Sequence, residues 1–387
     1  MTLEHLTCVA DVRAAARRRV PKMFYDFVDS GSWTGATYRA NEADFAQVML
    51  RQRVGRNIET RDTRTHLLGA QSAMPLAIAP TGLAGFVWPD GEIHCARAAE
   101  RFGVPYTLSI GSVCSLEEVR QHSQGTLWMQ VSLLKDKPYL ERLIERARAA
   151  DCAAMVLTLD YHVAGQRHCD IHNGMRLPPR LGPKQLLDMV SAPRWCWGML
   201  RTRHRGFGNV FGHVKEVVDM ASFARWHMAQ FELNLNWGMV EWLKKRWNGP
   251  LIVKGIMDAE DARLAVAAGA DAVSVSNQGG RQIDGAPSSI ATLPAVVDAV
   301  GARVAVLLDG GVRQGQDVFR ARALGAKGVL TGRATLYGMA AAGEAGVHRV
   351  LQILHNELRS TMAFCGVNHV DEVDSSTLVR PAPAQAR

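Results

Sequence analysis

Two short runs near the C-terminus carry the clearest chemistry in this 387-residue sequence. Leu307-Leu308-Asp309-Gly310-Gly311-Val312-Arg313 and, one unit later, Leu330-Thr331-Gly332-Arg333 each read as an apolar strand that ends in glycine and leads into arginine. Glycine lets backbone N–H groups come close to an anion, and arginine adds a bidentate charged fork. Either run alone is compatible with a surface turn. Two in succession point to a phosphate site. Leu251-Ile252-Val253-Lys254 sets a lysine at the end of another apolar strand. If that ammonium is buried rather than turned out to solvent, it calls for an anionic partner. His168-Cys169-x-x-His172 shows no complete transition-metal shell and reads as ordinary loop chemistry, so no metal is expected.

The elements that must position these residues alternate regularly from Met74 onward. Short apolar runs fall at Met74–Pro80, Pro105–Ser109, Leu127–Ser132, Ala153–Asp160, Leu251–Lys254, Ala272–Asn277, Val304–Asp309 and Gly328–Thr331. Segments of helical spacing lie between them, such as Gly91–Phe102, Lys137–Ala150, Asp258–Ala268 and Gln314–Leu324. Apolar runs without alternation imply strands buried on both faces, as in a parallel sheet. Eight strand–helix units predict an α/β fold, a closed (β/α)₈ TIM barrel, and the G-x-G-x-x-G turn of a doubly wound dinucleotide fold is absent. The glycine–arginine runs then follow strands seven and eight, where such barrels commonly hold phosphate. Residues 1–73 form a helical N-terminal segment, with Val12–Arg19 and Lys22–Val28 as helices, packed on a barrel spanning 74–387. Residues 161–235, after the fourth strand, form a long insertion expected to cover the active site. Its stretch Arg194-Trp195-Cys196-Trp197 through Arg201-Thr202-Arg203-His204-Arg205 reads as a solvated loop or as a peripheral membrane contact.

Hydrophobic residues make up 47% and charged residues 21%, the balance of a folded globular chain rather than a disordered one. The net charge of +8 suits anionic ligands, but no basic stripe interleaves with aromatics, so no nucleic-acid partner is expected. Seven cysteines lie scattered without paired spacing and read as reduced thiols of a cytoplasmic protein. The N-terminus lacks the pattern of a secretory leader, and no apolar run is long enough to span a bilayer.

Taken together, Pro21-Lys22-Met23, Ile78-Ala79-Pro80-Thr81, Leu108-Ser109, Val253-Lys254-Gly255, Val275-Ser276-Asn277-Gln278-Gly279-Gly280-Arg281-Gln282, Asp309-Gly310-Gly311-Val312-Arg313 and Gly332-Arg333 resemble, in order and across nearly the whole chain, the FMN-dependent 2-hydroxy acid dehydrogenases and oxidases. That family includes L-lactate dehydrogenase, glycolate oxidase and mandelate dehydrogenase. The insertion length and Ser112-Val113-Cys114 look most similar to bacterial lactate dehydrogenases. The resemblance implies flavin mononucleotide (FMN) as cofactor. Ala79, Pro80 and Thr81 would lie along the flavin N5 edge, and Ser109, Gln130 and Thr158 would hydrogen-bond the polar end of the ring. Lys254 would sit beside N1 and O2, stabilising an anionic reduced ring. Ser276 and Asp309 would meet the ribityl chain, with Gly310, Gly311, Arg313, Gly332 and Arg333 at the phosphate. None of these positions departs from the family pattern.

The catalytic positions do depart from it. The family places a histidine base after Ser-Asn in strand six, and a positioned base contributes about 10²–10⁴ in rate. Here the residue is Gln278, whose amide neither accepts a proton usefully nor becomes a cation. The family's N-terminal tyrosine corresponds to Phe27, with Tyr25 out of register, and the tyrosine two residues after Gln130 corresponds to Ser132. Arg281, the family's carboxylate clamp, is retained together with Arg167 and Asp160. Asp160, which in the family orients the histidine, would pair with Arg167, serve as the base, or be a buried hydrogen-bonded carboxylate. Three functions follow. One is hydride transfer from a 2-hydroxy acid or related small carboxylate to flavin N5, with Asp160 or water replacing the histidine. Another is altered chemistry, such as oxidation of an amine or a larger natural-product intermediate. The third is a flavin-binding protein that has lost catalysis. The residues do not specify the electron acceptor. The resemblance further implies a homo-oligomer, commonly a tetramer, in the cytoplasm, or at the inner membrane face if the insertion makes contact.

Overall fold

The computed structural model describes residues 3–175 and 182–379. Eight parallel strands close into a barrel: β1 (Leu76–Ile78), β2 (Tyr106–Ser109), β3 (Leu127–Ser132), β4 (Ala154–Thr158), β5 (Leu251–Ile256), β6 (Ala272–Val275), β7 (Ala305–Asp309) and β8 (Gly328–Thr331). Each strand pairs with its sequence neighbour, and β8 closes on β1 through Val329↔Leu76 and Thr331↔Ile78. The predicted strands are all present: five are shorter by a residue or more, as at Pro80 and Asp160, two match, and the fifth runs on past Lys254 to Ile256.

The two-residue period of each strand sorts the core. Ala77, Trp128, Ala154, Val156, Ile252, Ala272, Leu307 and Leu330 fill the barrel interior, while a larger apolar layer joins the strands to the surrounding helices. Moving two residues along the same face leads from Trp128 to Gln130, from Val156 to Thr158, from Ile252 to Lys254 and from Leu307 to Asp309. The filled floor therefore becomes a polar mouth at the C-terminal strand ends.

Helices Val9–Arg17, Lys22–Val28 and Ala36–Ala43 precede the barrel, and the first packs on Arg333–Cys365, a helix broken at Ala342 and Gly343. The N-terminal segment also holds a hairpin, Thr65–Leu67 with Ala70–Ser72, which helical patterning did not anticipate. Its Leu67 joins the barrel's inner core.

Of the insertion 161–235, residues 176–181 lie outside the described residues. The stretch from Arg194 is not a simple solvated loop, since it belongs to helix Pro193–Arg201. Trp195 is buried, donates from Nε1 to the Phe86 carbonyl (3.0 Å) and lies 5.0 Å from the Phe24 ring. Trp197, two residues on, is exposed.

Candidate functional site

At the mouth, the ends of β2, β3 and β4 form one hydrogen-bonded chain. Ser109 Oγ donates to Gln130 Oε1 (3.1 Å), and Gln130 Nε2 donates to Thr158 Oγ1 (3.1 Å) and, at 3.4 Å, to Ser132 Oγ. All but Ser132 are buried, and the amide of Gln130 is fixed with both ends in use. Ser132 thus belongs to the same chain as the residues expected at the ring.

Lys254 on β5 is 3% exposed and finds the anionic partner its burial demands. Its Nζ lies 2.7 Å from Asp309 Oδ2 on β7 and 2.8 Å from Ser276 Oγ, which itself donates to Asp309 (2.8 Å). Burial alone would lower the ammonium's pKa, but Asp309 and Asp160 outweigh it and hold Lys254 charged.

A cleft opens beside this triad. Its lining includes Phe27, Ala79, Pro80, Thr81, Lys254, Gln278, Arg281, Asp309 and the glycine–arginine runs after β7 and β8. Gly310 (φ 116°) and Gly311 (φ 78°) adopt backbone that only glycine takes freely, and a Cβ on Gly311 would fall 1.7 Å from the Asn41 carbonyl oxygen. Arg313 pairs with Glu42 (2.8 Å), yet its buried Nε has no partner. Arg333 has no carboxylate partner among the described residues. It donates to the carbonyls of Val28, Gly279 and Ser30 and stacks 4.6 Å over Tyr38. Positive charge without full compensation, beside glycines that leave the backbone bare, fits a phosphate. With the Lys254 triad and the Ser109–Gln130–Thr158 chain, the cleft fits a flavin nucleotide.

The residues expected to face a substrate meet around Phe27. Arg281 lies 4.6 Å over its ring and Arg167 5.9 Å, and Arg281 also donates to the Phe27 carbonyl. Partial burial, then the neighbouring Arg167 and Arg333, press the Arg281 guanidinium's pKa well down, which marks a half-buried cation short of counter-charge. Arg167 does not pair with Asp160. Its Nε meets Asp170 at 2.5 Å, because Arg167 stands at the cap of helix His168–His172, whose first turn brings the residue three further on back beneath it. Asp160 instead accepts from Gln278 Nε2 (3.1 Å), and Gln282 donates to its backbone carbonyl. Gln278 lines the cleft and Asp160 does not. Burial raises the Asp160 carboxyl to about 6, although Lys254 pulls the other way.

Several contributors were not singled out from sequence. Gly279 lines the cleft at φ 64°, and a Cβ there would fall 2.4 Å from Arg333 Nη1. Its place in Gln278-Gly279-Gly280-Arg281 was the available signal. Asn41 and Asn277 exchange hydrogen bonds at 2.8 and 3.1 Å and dock the loop after β6 on helix Ala36–Ala43. No local pattern links residues so far apart. His168 and Cys169 join no metal-competent group. Among the described residues such a group forms only at Asp90, Cys114 and His204. There His204 bridges Asp90 (2.6 Å) and Glu118 (2.8 Å), a clasp between insertion and barrel.

A profile of FMN-dependent dehydrogenases matches residues 16–380. L-lactate dehydrogenase of Caulobacter sp. (strain K31) is 42% identical over 97% of this chain and 99% of its own length. L-lactate dehydrogenase of Pseudomonas syringae pv. syringae (strain B728a) is 39% identical over the same shares. The crystal structure of a monotopic membrane protein, (S)-mandelate dehydrogenase, superposes with a TM-score of 0.92 at 34% identity, covering 97% of this chain and 99% of that one. A full-length match to the profile, with the barrel and cleft in place, means that this chain belongs to the FMN-dependent dehydrogenase family and is an FMN-dependent oxidoreductase.

Proposed function

We propose that the enzyme oxidises a 2-hydroxy acid, or a closely related small carboxylate, at its α-carbon. The observation that carries this reading is Arg281, a half-buried guanidinium on the cleft wall with no carboxylate partner among the described residues. Such a group is matched by a carboxylate arriving with the substrate. The relatives named for L-lactate and (S)-mandelate support the same substrate class.

When bound, FMN supplies a hydride acceptor at N5 of its ring. Ala79, Pro80 and Thr81 would line that edge, and Ser109, Gln130 and Thr158 would meet the ring's polar end. Lys254 would hold positive charge beside it, Ser276 and Asp309 would face the ribityl hydroxyls, and Gly310, Gly311, Arg313, Gly332 and Arg333 would hold the phosphate. Arg281, with Arg167 beside it, fixes the substrate carboxylate against Phe27. Gln278 accepts a hydrogen bond from the substrate hydroxyl. With no imidazole here and Asp160 off the lining, the hydroxyl proton passes to water.

A second reading is favoured by the amide at 278 and the missing phenols at Phe27 and Ser132: oxidation of an amine, whose neutral lone pair can expel hydride without a protein base. Anaerobic mixing of the holoenzyme with panels of L-2-hydroxy acids and of amino compounds separates them. Bleaching of the flavin absorbance by hydroxy acids supports the first, and bleaching by amines alone supports the second. A flavin that neither panel reduces would instead favour a flavin-binding protein without catalysis.

The insertion is further proposed to touch a membrane surface. Leu186, Leu187, Val190, Trp197 and Leu200 are 52–73% exposed on helices Pro183–Val190 and Pro193–Arg201, beside Lys184, Arg194 and Arg201. Apolar side chains rimmed by cations suit an anionic headgroup layer. Among the described residues, no helix is long and apolar enough to cross a membrane. Co-sedimentation with anionic vesicles, lost in a Leu187→Glu/Trp197→Glu variant, is the expected result, and equal sedimentation of both proteins would refute it.

A further inference from the structure

Two residues into the loop after β6 come three successive residues in the left-handed region: Gln278 (φ 55°), Gly279 (φ 64°) and Gly280 (φ 73°). This coil directs the Gln278 side chain across to Asp160, just beyond β4. An ionised carboxylate only accepts hydrogen bonds, so the NH₂ end of the amide must face Asp160, at 3.1 Å, and Oε1 is the end left for the cleft. Asp160 has little room to turn, because Gly255 on β5 lies against it. A Cβ at that position (φ 104°) would fall 2.7 Å from Asp160 Oδ1. The other carboxylate oxygen, Oδ2, is buried with no partner. The charged groups facing this carboxyl are Lys254 on β5 and Asp309 on β7, with Tyr161 adjacent in the chain and Gln282 on its backbone carbonyl. Its titration near pH 6 falls within the range of ordinary assays. A proton carried on Oδ1, the oxygen that meets the amide, turns that oxygen into a donor, and Gln278 then pairs with it by turning its Oε1 inward and its NH₂ toward the cleft.

We infer that Asp160 is a positioning residue whose protonation state sets which end of the Gln278 amide faces the substrate. With Asp160 ionised, the cleft presents an acceptor and favours a 2-hydroxy acid. With Asp160 protonated, it presents a donor and favours the 2-oxo acid. This inference rests on the carboxylate-binding reading above, in which Arg281 holds the common end of both ligands.

Equilibrium binding to the holoenzyme tests it without turnover. The probes are 2-hydroxy-2-methylpropanoate, which has no α-hydrogen to lose, and 2-oxobutanoate, each followed by perturbation of the flavin spectrum from pH 5 to 8. The preference for hydroxy over oxo ligand should rise about 5- to 10-fold across that range, the worth of one neutral hydrogen bond, with a midpoint near 6. It should be flat with pH in both Asp160→Asn and Gln278→Met. A preference that does not vary with pH in the unmodified enzyme overturns the inference. So does a variation that survives in Gln278→Met, even if Asp160→Asn fails to fold. If neither ligand binds at any pH, the carboxylate reading falls as well, whereas tight binding with a flat ratio removes the inference alone.

Discussion

Replacing Asp160 by asparagine removes an ionisable group while nearly preserving its shape, and the cost of that group can be worked out from its surroundings. In the unfolded chain the carboxyl titrates near 3.8, and in the folded protein burial raises it to about 6. Such a rise corresponds to about 3 kcal/mol. The sign follows from proton binding. Below the unfolded value both states keep the proton, and this group's favourable term is fully present. As pH climbs through the interval the unfolded chain ionises freely, but the folded protein must do so against Gly255 and with Oδ2 unpartnered, so stability falls until pH passes about 6 and is level beyond. Asparagine has no such term. The variant should therefore gain about 2 kcal/mol over the parent between pH 4 and pH 7, or about 3 °C in Tm for a chain of 387 residues. Thermal scans of both proteins at a fixed rate, across that pH range and with FMN in constant excess, measure it. A Tm difference that stays constant, or that grows toward acid pH, would refute the account of the buried carboxyl.

Gly311→Ala should fold poorly and lose FMN, since its Cβ would fall 1.7 Å from the Asn41 carbonyl at φ 78°. A destabilisation above about 3 kcal/mol is expected, read by denaturation and by the flavin-to-protein absorbance ratio. Lys254→Met leaves Asp309 buried without its cation and should cost about 3–5 kcal/mol, a loss that Asp309→Asn in the same chain should partly restore. Restoring the family pattern with Gln278→His, Phe27→Tyr and Ser132→Tyr together should raise 2-hydroxy acid turnover about 10²- to 10⁴-fold, measured as the rate of flavin bleaching. No gain from that triple variant would mean that the base is not what limits the present site.

The barrel was legible because its strands obey simple rules. Leu127–Ser132 and Gly328–Thr331 match the sequence expectation residue for residue, since apolar runs bounded by a Gly turn or a polar cap leave little choice of register. The cleft residues were legible for a related reason: a period of two carries Trp128 to Gln130 and Ile252 to Lys254, so a lysine ending such a strand has to enter the mouth. What stayed hidden depends on contacts distant in sequence. Lys254 could be said to need an anion, but not that the anion is Asp309, reached across β6. Arg167 could be placed on the insertion, but its pairing with Asp170 rather than Asp160 follows from one short helix turn. The Asn41–Asn277 exchange and the three-residue left-handed coil at Gln278 arise from loop geometry, which apolar periodicity does not encode.

Arg333 joins parts of the chain that are made at very different times. It begins the helix after β8, yet its three donated bonds go to Val28 and Ser30 near the start of the protein and to Gly279 in the middle. On the ribosome the early helices emerge and wait while roughly three hundred further residues are synthesised, and no half-built barrel contains the complete anion grip. With Arg333 in the phosphate site proposed above, flavin capture would be a late event, reporting that the ring of strands has closed. A polypeptide released before β8 would retain most of the apolar floor and still be unable to hold its nucleotide.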